Sequence, residues 1–474
     1  MQFDTFTFII YFLVVIFAYY CFKTASSQKI WLLLASYIFY AAWNPYFVVL
    51  IGFSTVLDWV IVRKILSCKQ PNTKRLWLLL SLCSNLGLLS YFKYGSFFLA
   101  NFQELMRLVG VSYLPPSVDI ILPIGISFYT FQTLSYTIDA YRGKLKSPAS
   151  LLDFSLYVSF FPQLVAGPIV RSSDFLPQCN SRKQLNVDFL GWGWFILISG
   201  LFAKVVLSDT LLAPFVDAVY FRPEAAGSIE AWAAVFAFSG QIFFDFGGYS
   251  LCAIGSALCL GYLLPENFRS PYSAMGFSDF WRRWHISLSS WLRDYLYIPL
   301  GGSHKGEIRT FLSLIITMLL GGLWHGASWQ FVIWGGLHGS YLVIERYMKK
   351  LVGITRPSSE LLMLGQALLT FIVVSLTWVF FRAENMGAVW SIFEALFCYR
   401  DSGLLIYNVT NKVLYIIFLT LLLFFFHWRI RNTSYVAVVQ KFPWWLKGGV
   451  MSLMMIGITF IASGDERAFI YFQF

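Results

Sequence analysis

The stretch LLMLGQALLTFIVVSLTWVFF, from Leu361 to Phe381, is 21 residues long and contains no charged side chain. A helix needs about 20 apolar residues to cross the hydrocarbon core of a bilayer, so this stretch predicts a membrane span. Ten further apolar runs predict spans elsewhere: Phe6–Phe22, Ile30–Trp43, Phe47–Val62, Leu76–Phe92, Phe189–Leu207, Ala231–Phe246, Phe311–Leu320, Trp329–Ile344, Val413–Trp428 and Gly448–Ile461. The sequence therefore predicts an all-α polytopic membrane protein with a single membrane domain over residues 1–474.

Two further apolar runs are interrupted by residues that break helices. Ile120–Tyr136 contains one proline, and Leu151–Val170 contains two prolines and a glycine. Non-helical backbone at membrane depth is tolerated only where protein or a water-filled cavity surrounds it. We therefore expect re-entrant or interfacial segments at these places, and roughly 10–13 membrane segments in all.

The composition supports a membrane protein and excludes a nucleic-acid-binding one. Apolar residues make up 58% of the chain and charged residues 12%, whereas soluble domains carry about 25% charged residues. The net charge of +11 fits basic loops that are retained on the cytoplasmic face of a membrane. The basic residues do not interleave with aromatic ones as they do along a nucleic-acid groove.

The orientation in the membrane follows from one basic loop. Arg63–Arg75 carries five basic residues and no acidic one, which predicts a cytoplasmic loop. Counting spans back from this loop places the N-terminus outside the cytoplasm. Met1–Asp4 lacks the basic start of a cleavable signal peptide, so we expect the first apolar run to remain as a span.

The stretch from Asn267 to Gly339 is rich in polar groups for so apolar a chain. Within it, Phe277–Leu292 predicts one amphipathic helix, because two sets of residues recur at steps of three and four. The apolar set is Phe277, Trp281, Trp284, Leu288 and Trp291; the polar set is Ser278, Arg282, His285 and Ser289, flanked by Arg283, Arg293 and Asp294. Such a helix lies in the membrane interface or lines a hydrated cavity, since arginines facing lipid are costly.

This predicted helix has two interpretations. In the first, His285 points into a reaction chamber and Arg282 lies beside it. In the second, the segment is a surface helix whose arginines contact lipid phosphates. The residues by themselves leave both open.

A second polar feature is the segment LGGLWHGASW, from Leu320 to Trp329, which places His325 next to Trp324 and among three glycines. The glycines loosen the helix, and an ionisable side chain at such a break inside a membrane is a candidate functional group. Burial keeps an imidazole neutral, which is the form that a general base needs. The alternative is a structural histidine bonded to a nearby carbonyl group.

A third polar feature is the segment QIFFDFGGYS, from Gln241 to Ser250. Asp245 needs a partner in this apolar run, and Tyr249 follows one helical turn later. Asp245 either orients a catalytic histidine or pairs with an arginine that holds the helices together.

The remaining histidines are weaker candidates. His338 shares a helical face with Tyr341 and Glu345, which fits an internal hydrogen bond. His304 lies in a glycine-rich segment that predicts a turn. His427 ends a span beside aromatic and basic residues, a composition typical of membrane anchoring.

Several catalytic classes are excluded by missing motifs. The chain has no G-x-S-x-G elbow of a serine hydrolase and no G-x-x-x-x-G-K-[ST] loop of a nucleotide hydrolase. It has no H-E-x-x-H motif or close cluster of histidines and carboxylates, so we expect no catalytic metal. The seven cysteines are scattered and form no C-x-x-C pair, which argues against a disulfide framework.

Seven stretches together resemble the membrane-bound O-acyltransferase family, in its bacterial alginate O-acetyltransferase branch. They are Leu122–Tyr129, Phe160–Pro168, Phe244–Ser250, Phe280–Ser289, Trp291–Tyr297, Gly321–Gly326 and Tyr471–Phe474. The resemblance implies a ring of helices around a central funnel, thinnest at His325. It also implies that His325 and His285 are the catalytic positions.

For the substrates, the resemblance implies an acyl thioester, acetyl-CoA in this branch, that approaches from the cytoplasm. It implies a polysaccharide acceptor outside, of alginate, cellulose or peptidoglycan type, and an extracytoplasmic SGNH-type partner. No bound cofactor is implied. The location implied is the bacterial inner membrane, with lipid around the protein.

In the mechanism that we expect, His325 takes a proton from an acceptor hydroxyl or carries the acyl group transiently. His285 and Arg282 position the thioester or stabilise the oxyanion, with Trp324, Asp245, Tyr249, Ser289 and Asp294 as supporting residues. This requires His325 to lie where two half-channels meet. Two rival functions are a transporter or flippase for a lipid-linked sugar or other envelope precursor, and a scaffold for polymer export.

Overall fold

The structure is a computed structural model that describes residues 1–113, 120–165, 167–353, 359–402, 409–461, 467, 469 and 470. Ala166 and the stretch Tyr471–Phe474, both part of the family resemblance, lie outside the described residues. The chain divides into two compact units. The first consists of Met1–Trp194 and Ala253–Pro265, and the second of Phe195–Cys252 and Glu266–Phe474. The prediction of a single membrane domain stays a prediction.

All regular structure in the described residues is helical. The α-helices are α1 (Phe6–Cys21), α2 (Ala25–Ala41), α3 (Tyr46–Ser67), α4 (Pro71–Leu89), α5 (Gly95–Leu108), α6 (Ile126–Tyr141), α7 (Leu151–Ser159), α8 (Phe161–Leu164), α9 (Ser172–Phe175), α10 (Val187–Leu201), α11 (Ala213–Phe221), α12 (Ser228–Cys259), α13 (Phe277–Trp281), α14 (Ile286–Leu292), α15 (Ile298–Leu300), α16 (Glu307–His325), α17 (Trp329–Val352), α18 (Glu360–Arg382), α19 (Met386–Phe397), α20 (Val409–Arg429), α21 (Tyr435–Gln440) and α22 (Trp444–Ile461). Ser90–Tyr94, Phe202–Leu212 and Arg293–Tyr297 are π-helical.

Eight helical stretches among the described residues are long and apolar enough to cross a membrane. They are Tyr46–Ser67, Pro71–Leu108, Val187–Phe221, Ser228–Cys259, Glu307–His325, Glu360–Arg382, Asn411–Arg429 and Trp444–Ile461, and α1 and α19 are shorter apolar helices. The predicted spans Ile30–Trp43 and Trp329–Ile344 lie in α2 and α17, which are not among the eight. The prediction of an all-α polytopic membrane protein is confirmed.

The first unit contains a satisfied polar cluster around Asp58. This carboxylate is fully buried and accepts hydrogen bonds from Ser81, from Asn85 at 2.7 Å and from Thr137 at 3.3 Å. These donors lie on α4 and α6, so the carboxylate joins three helices. Because a buried polar group is costly without partners, we assign this cluster a structural role.

In the second unit, α16 and α17 form a tightly packed pair. A Cβ atom on Gly322 would lie well inside contact distance of the Phe331 carbonyl oxygen. A Cβ atom on Gly335 would meet the Met318 carbonyl oxygen in the same way. Small residues let two membrane helices approach until their backbones touch. The glycines therefore fix the position of the end of α16, where His325 lies.

The predicted single helix Phe277–Leu292 is wrong, because the chain forms α13 and α14 with a break between them. At the break, His285 adopts a left-handed backbone with φ of 42°. The N–H group of Ile286 donates to the Asn267 carbonyl oxygen, and the N–H group of Arg269 donates to the Arg283 carbonyl oxygen, both at 2.9 Å. These bonds to a distant segment replace helical ones, and periodicity alone does not reveal them.

The second unit also contains a buried ion cluster centred on Lys204, in the π-helical turn Phe202–Leu212. The Lys204 ammonium group lies 2.6 Å from Asp245 and 3.0 Å from Asp209. It also donates to the Arg467 carbonyl oxygen at 3.3 Å, while the N–H group of Ile470 donates to Asp245 at 3.0 Å. The cluster thus ties α12 to residues near the C-terminus.

We predict that Gly335→Ala lowers the thermal stability of the protein, because the added methyl group has no room beside the Met318 carbonyl. Gly336→Ala is the matched control, since its Cβ atom would lie 3.4 Å from Leu319, an ordinary contact. Overpacking costs about 1–3 kcal/mol, whereas alanine favours a helix over glycine by about 1 kcal/mol. In detergent, Gly335→Ala should therefore have a lower melting temperature than Gly336→Ala. Equal melting temperatures of the two variants would contradict the packing argument.

We predict that Lys204→Met strongly destabilises the protein, because it leaves Asp245 and Asp209 buried without their cation. Removing one partner of a buried pair typically costs about 3–5 kcal/mol. The triple variant Lys204→Met, Asp209→Asn, Asp245→Asn removes the charges together and should regain most of the loss. The readout is the fraction of monodisperse protein after heating, and a triple variant no better than the single one would refute the assignment.

Candidate active site

His325 is the last residue of α16, and its side chain is 2% exposed. Its ring lies 5.1 Å from the Trp334 ring and 5.3 Å from the Phe381 ring, measured between centroids. The Trp324 ring lies 5.0 Å away. Each of these contacts is edge to face, so His325 lies in an aromatic environment supplied by α16, α17 and α18. The neutral form of this imidazole, which the sequence analysis expects, stays a prediction.

His285 is fully buried and is held by Asn267, a residue that the sequence did not single out. The Nδ1 atom of His285 lies 3.1 Å from the Asn267 Oδ1 atom. The same oxygen accepts from the Ser287 backbone N–H group and from the Ser287 hydroxyl. Since a backbone N–H group only donates, the Asn267 atom is the oxygen, and His285 Nδ1 must carry the proton.

It follows that the neutral His285 ring carries its lone pair on Nε2. No hydrogen-bond partner for this buried atom is present among the residues that the structure describes. Burial lowers the pKa of His285 to about 3, so the ring is neutral at physiological pH. The ring can therefore accept a hydrogen bond at Nε2, but it cannot donate one there.

The two histidines are joined through Trp324. The His285 and Trp324 ring centroids are 5.9 Å apart, and the Trp324 and His325 ring centroids are 5.0 Å apart. Both imidazole rings therefore contact the same indole ring. The structure thus brings His285, Trp324 and His325 together.

Three predicted supporting residues are not at the buried centre. Arg282 is exposed, whereas the His285 ring is fully buried, and the joint role of the two residues stays a prediction. The broken helix explains this difference in exposure, because the helical spacing on which the prediction rested is absent. Ser289 donates to the Trp284 carbonyl oxygen at 3.1 Å, and Asp294 pairs with Arg293 at 2.7 Å. Their contacts are structural.

Among the described residues, the charged partner of Asp245 is Lys204 rather than an arginine. The Lys204 ammonium group also lies 5.8 Å from the Tyr249 ring, so the predicted link between Asp245 and Tyr249 passes through the lysine. Tyr249 packs on Phe469, and Phe469 contacts Phe246.

Phe246 lies on α12, as do Asp245 and Tyr249. Its ring meets the His285 ring edge to face, with the two centroids 4.6 Å apart. The supporting roles expected of Asp245 and Tyr249 stay predictions.

The other histidines occupy structural positions. His338 Nε2 lies 3.0 Å from the Thr377 hydroxyl, which agrees with the predicted internal hydrogen bond. His304 is in a turn and exposed, as predicted. His427 is buried against Phe243, and its Nδ1 atom accepts from the Tyr272 N–H group, so the predicted anchoring role is wrong. In the described parts of the chain, no three histidines, cysteines or carboxylates are grouped to hold a metal ion.

A cavity of about 750 Å³ lies in the second unit, close to His325. Ala327 and Ser328, which directly follow the His325 segment, line it together with Phe381. Since the Phe381 ring lies 5.3 Å from the His325 ring, the cavity comes within one aromatic side chain of the imidazole. His325 itself does not line this cavity. Its position where two half-channels meet stays a prediction.

Comparison with known proteins relates this site to a family of enzymes. Residues 135–383 match the model of the membrane-bound O-acyltransferase family, a range that includes both catalytic candidates. The chain is 36% identical to the peptidoglycan O-acetyltransferase of Helicobacter pylori over 95% of this chain and 92% of that protein. It is 40% identical to the "Probable alginate O-acetylase" of Pseudomonas aeruginosa, over 84% of this chain and 75% of that protein.

A more distant relative is the teichoic acid D-alanyltransferase of Bacillus subtilis, 28% identical over 50% of this chain and 62% of that protein. The family model covers more than half of the chain, and the two O-acetyltransferase relatives cover most of it. The resemblance seen in the motifs is thereby confirmed. The chain is a multi-pass O-acyltransferase and belongs to the membrane-bound O-acyltransferase family.

Proposed function

We propose that this chain is an O-acetyltransferase of the bacterial inner membrane. It takes an acetyl group from cytoplasmic acetyl-CoA and moves it across the membrane to a polysaccharide of alginate, cellulose or peptidoglycan type. The transfer is direct or passes through an SGNH-type partner outside. The observation that carries the proposal is the buried imidazole of His325 at the end of α16, linked through Trp324 to His285.

In this mechanism His325 acts as the general base. The acceptor hydroxyl oxygen attacks the thioester carbonyl carbon, and the imidazole takes the hydroxyl proton. The carbon–sulfur bond then breaks, and the imidazolium returns the proton to the departing CoA thiolate, which regenerates the neutral base. A positioned base of this kind contributes about 10²–10⁴-fold to the rate. The proposed role requires a neutral His325 ring, which is the form expected of a buried imidazole.

His285 has a different part in the proposed mechanism. Its proton is on Nδ1, bonded to Asn267, so the neutral ring has no N–H group to offer an oxyanion. We therefore keep the expected positioning role and drop the oxyanion role. The Nε2 lone pair accepts a hydrogen bond from a donor group of the bound substrate. Asn267 acts through His285, as a positioning residue.

The charge distribution supports the orientation in the membrane. The ends of α16 and α17 that lie away from His325 meet in the ion pair between Arg346 and Glu307. Near these ends the basic residues are Lys305, Arg309, Arg346, Lys349 and Lys350. By the positive-inside rule this end faces the cytoplasm, and the end with His325 and Ser328 lies toward the outside. Three predicted spans separate the N-terminus from the basic loop Arg63–Arg75, so in this orientation the N-terminus is extracytoplasmic.

We predict that His325→Ala lowers acetyl transfer by about 10²–10⁴-fold, because the general base is lost. His304→Ala is the matched control, since His304 is an exposed turn residue away from the aromatic site. The measurement is release of CoA from radiolabelled acetyl-CoA by the purified protein, with melting temperatures to verify folding. Substantial activity in His325→Ala would refute the assignment, and no CoA release by the wild type would favour a transporter.

We predict that Asn267→Leu lowers turnover by about 10–100-fold, because a lost hydrogen bond to a buried group costs about 1–3 kcal/mol. Asn267→Asp should retain more activity, since its carboxylate still accepts from His285 Nδ1. A carboxylate also favours the charged imidazolium, so the acid limb of the pH–rate profile should move to higher pH in this variant. A purely structural role for Asn267 predicts equal losses in both variants and no shift of the profile.

A further inference from the structure

The cavity beside His325 contains buried polar atoms that the protein itself leaves without a partner. Tyr220 and Gln241 line it and are 4% and 6% exposed. Among the described residues, neither the Tyr220 hydroxyl nor the Gln241 Oε1 atom has a hydrogen-bond partner. Buried polar groups are normally bonded, because each unmade bond costs free energy. Because both residues belong to the cavity lining, a hydroxyl-bearing ligand that reached these two atoms would supply the missing hydrogen bonds.

The positive and negative charges of the side chains around the cavity nearly balance each other. Arg382 and Arg467 both bind the carboxylate of Asp217, Arg382 at 2.6 Å, and each guanidinium group keeps further N–H donors. Asp209 and Glu384 add two more carboxylates, and Lys204 pairs with Asp209. A cavity with this balance does not attract a polyanion such as the nucleotide part of CoA.

The aromatic residues of the lining complete the pattern. The Tyr220, Phe331 and Phe381 rings border the same cavity, whose volume is in the range of small-molecule sites, about 300–1,000 Å³. A sugar ring has hydroxyl groups that can bond to planar polar side chains. It also has C–H groups that can pack on aromatic faces. The cavity also lies toward the end of the second unit that is opposite to its basic end, where an acceptor from outside would enter.

We infer that this cavity binds one or two sugar units of the acceptor, with their hydroxyl groups bonded to Tyr220 and Gln241. The sugar then lies one aromatic side chain away from His325, across Phe381. The inference rests on the proposed function and deepens it, because it assigns the acceptor to this chain itself. A peptide segment of a partner protein is the competing occupant.

The test measures sugar binding to the full chain in detergent, with no acyl donor present. The probes are cellobiose, a uronic-acid disaccharide and an N-acetylserine peptide. Binding of each probe is measured by saturation-transfer NMR. We expect Tyr220→Phe and Gln241→Leu each to weaken binding of at least one disaccharide by about 3–10-fold, which is the worth of one hydrogen bond. Tyr435→Phe is the matched control, because its hydroxyl bonds Ser199 and does not line the cavity.

The outcomes separate this inference from the proposed function. Absence of disaccharide binding, binding that is unchanged in both cavity variants, or binding of the peptide alone would overturn the inference. If CoA is still released in a His325-dependent way, the proposed function stands without it. Sugar binding that depends on Tyr220 and Gln241, without CoA release, would support the inference and overturn the proposed function. Melting temperatures of the variants verify that each is folded.

Discussion

The backbone contact between α16 and α17 sets the position of His325 relative to the aromatic residues of α17. Gly322 and Gly335 bring the two helices together until no methyl group fits between them. Helix association in a membrane depends on such packing, since lipid removes most of the hydrophobic driving force between helices. The contact places His325 at the end of one helix and Trp334 on the other, with their rings 5.1 Å apart.

Buried polar groups in this chain are arranged in two different ways. Lys204, Asp209 and Asp245 satisfy one another and hold residues near the C-terminus, so their role is explained by stability. Among the described residues, His285 is satisfied on one nitrogen only: its Nδ1–H group donates to Asn267, and the Nε2 lone pair in the interior has no protein partner. In a low-dielectric interior, a polar group without a hydrogen-bond partner costs free energy. A ligand that supplies the partner removes this cost, so such a group marks a candidate ligand site.

The sequence pointed to the histidines of the candidate site, but it did not reveal which residues contact them. His325 stood out because an ionisable residue beside glycines inside an apolar run has few structural explanations. The argument for Arg282 lost its basis, since helical spacing assigned it to the face of His285 and the helix is broken at that point. Asn267 and Lys204 were not singled out, because their partners lie 18 and 41 residues away and periodicity reports only near neighbours.

The sequence by itself determined the class of the protein. Runs of about 20 apolar residues must become helices in a bilayer, because no other open structure satisfies their backbone groups. The motifs around His285 and His325 identified the family. Only the tertiary structure decided which polar groups meet, how His285 is protonated and where the cavity lies. These depend on contacts between segments that are distant in the chain, and such contacts leave no regular spacing in the sequence.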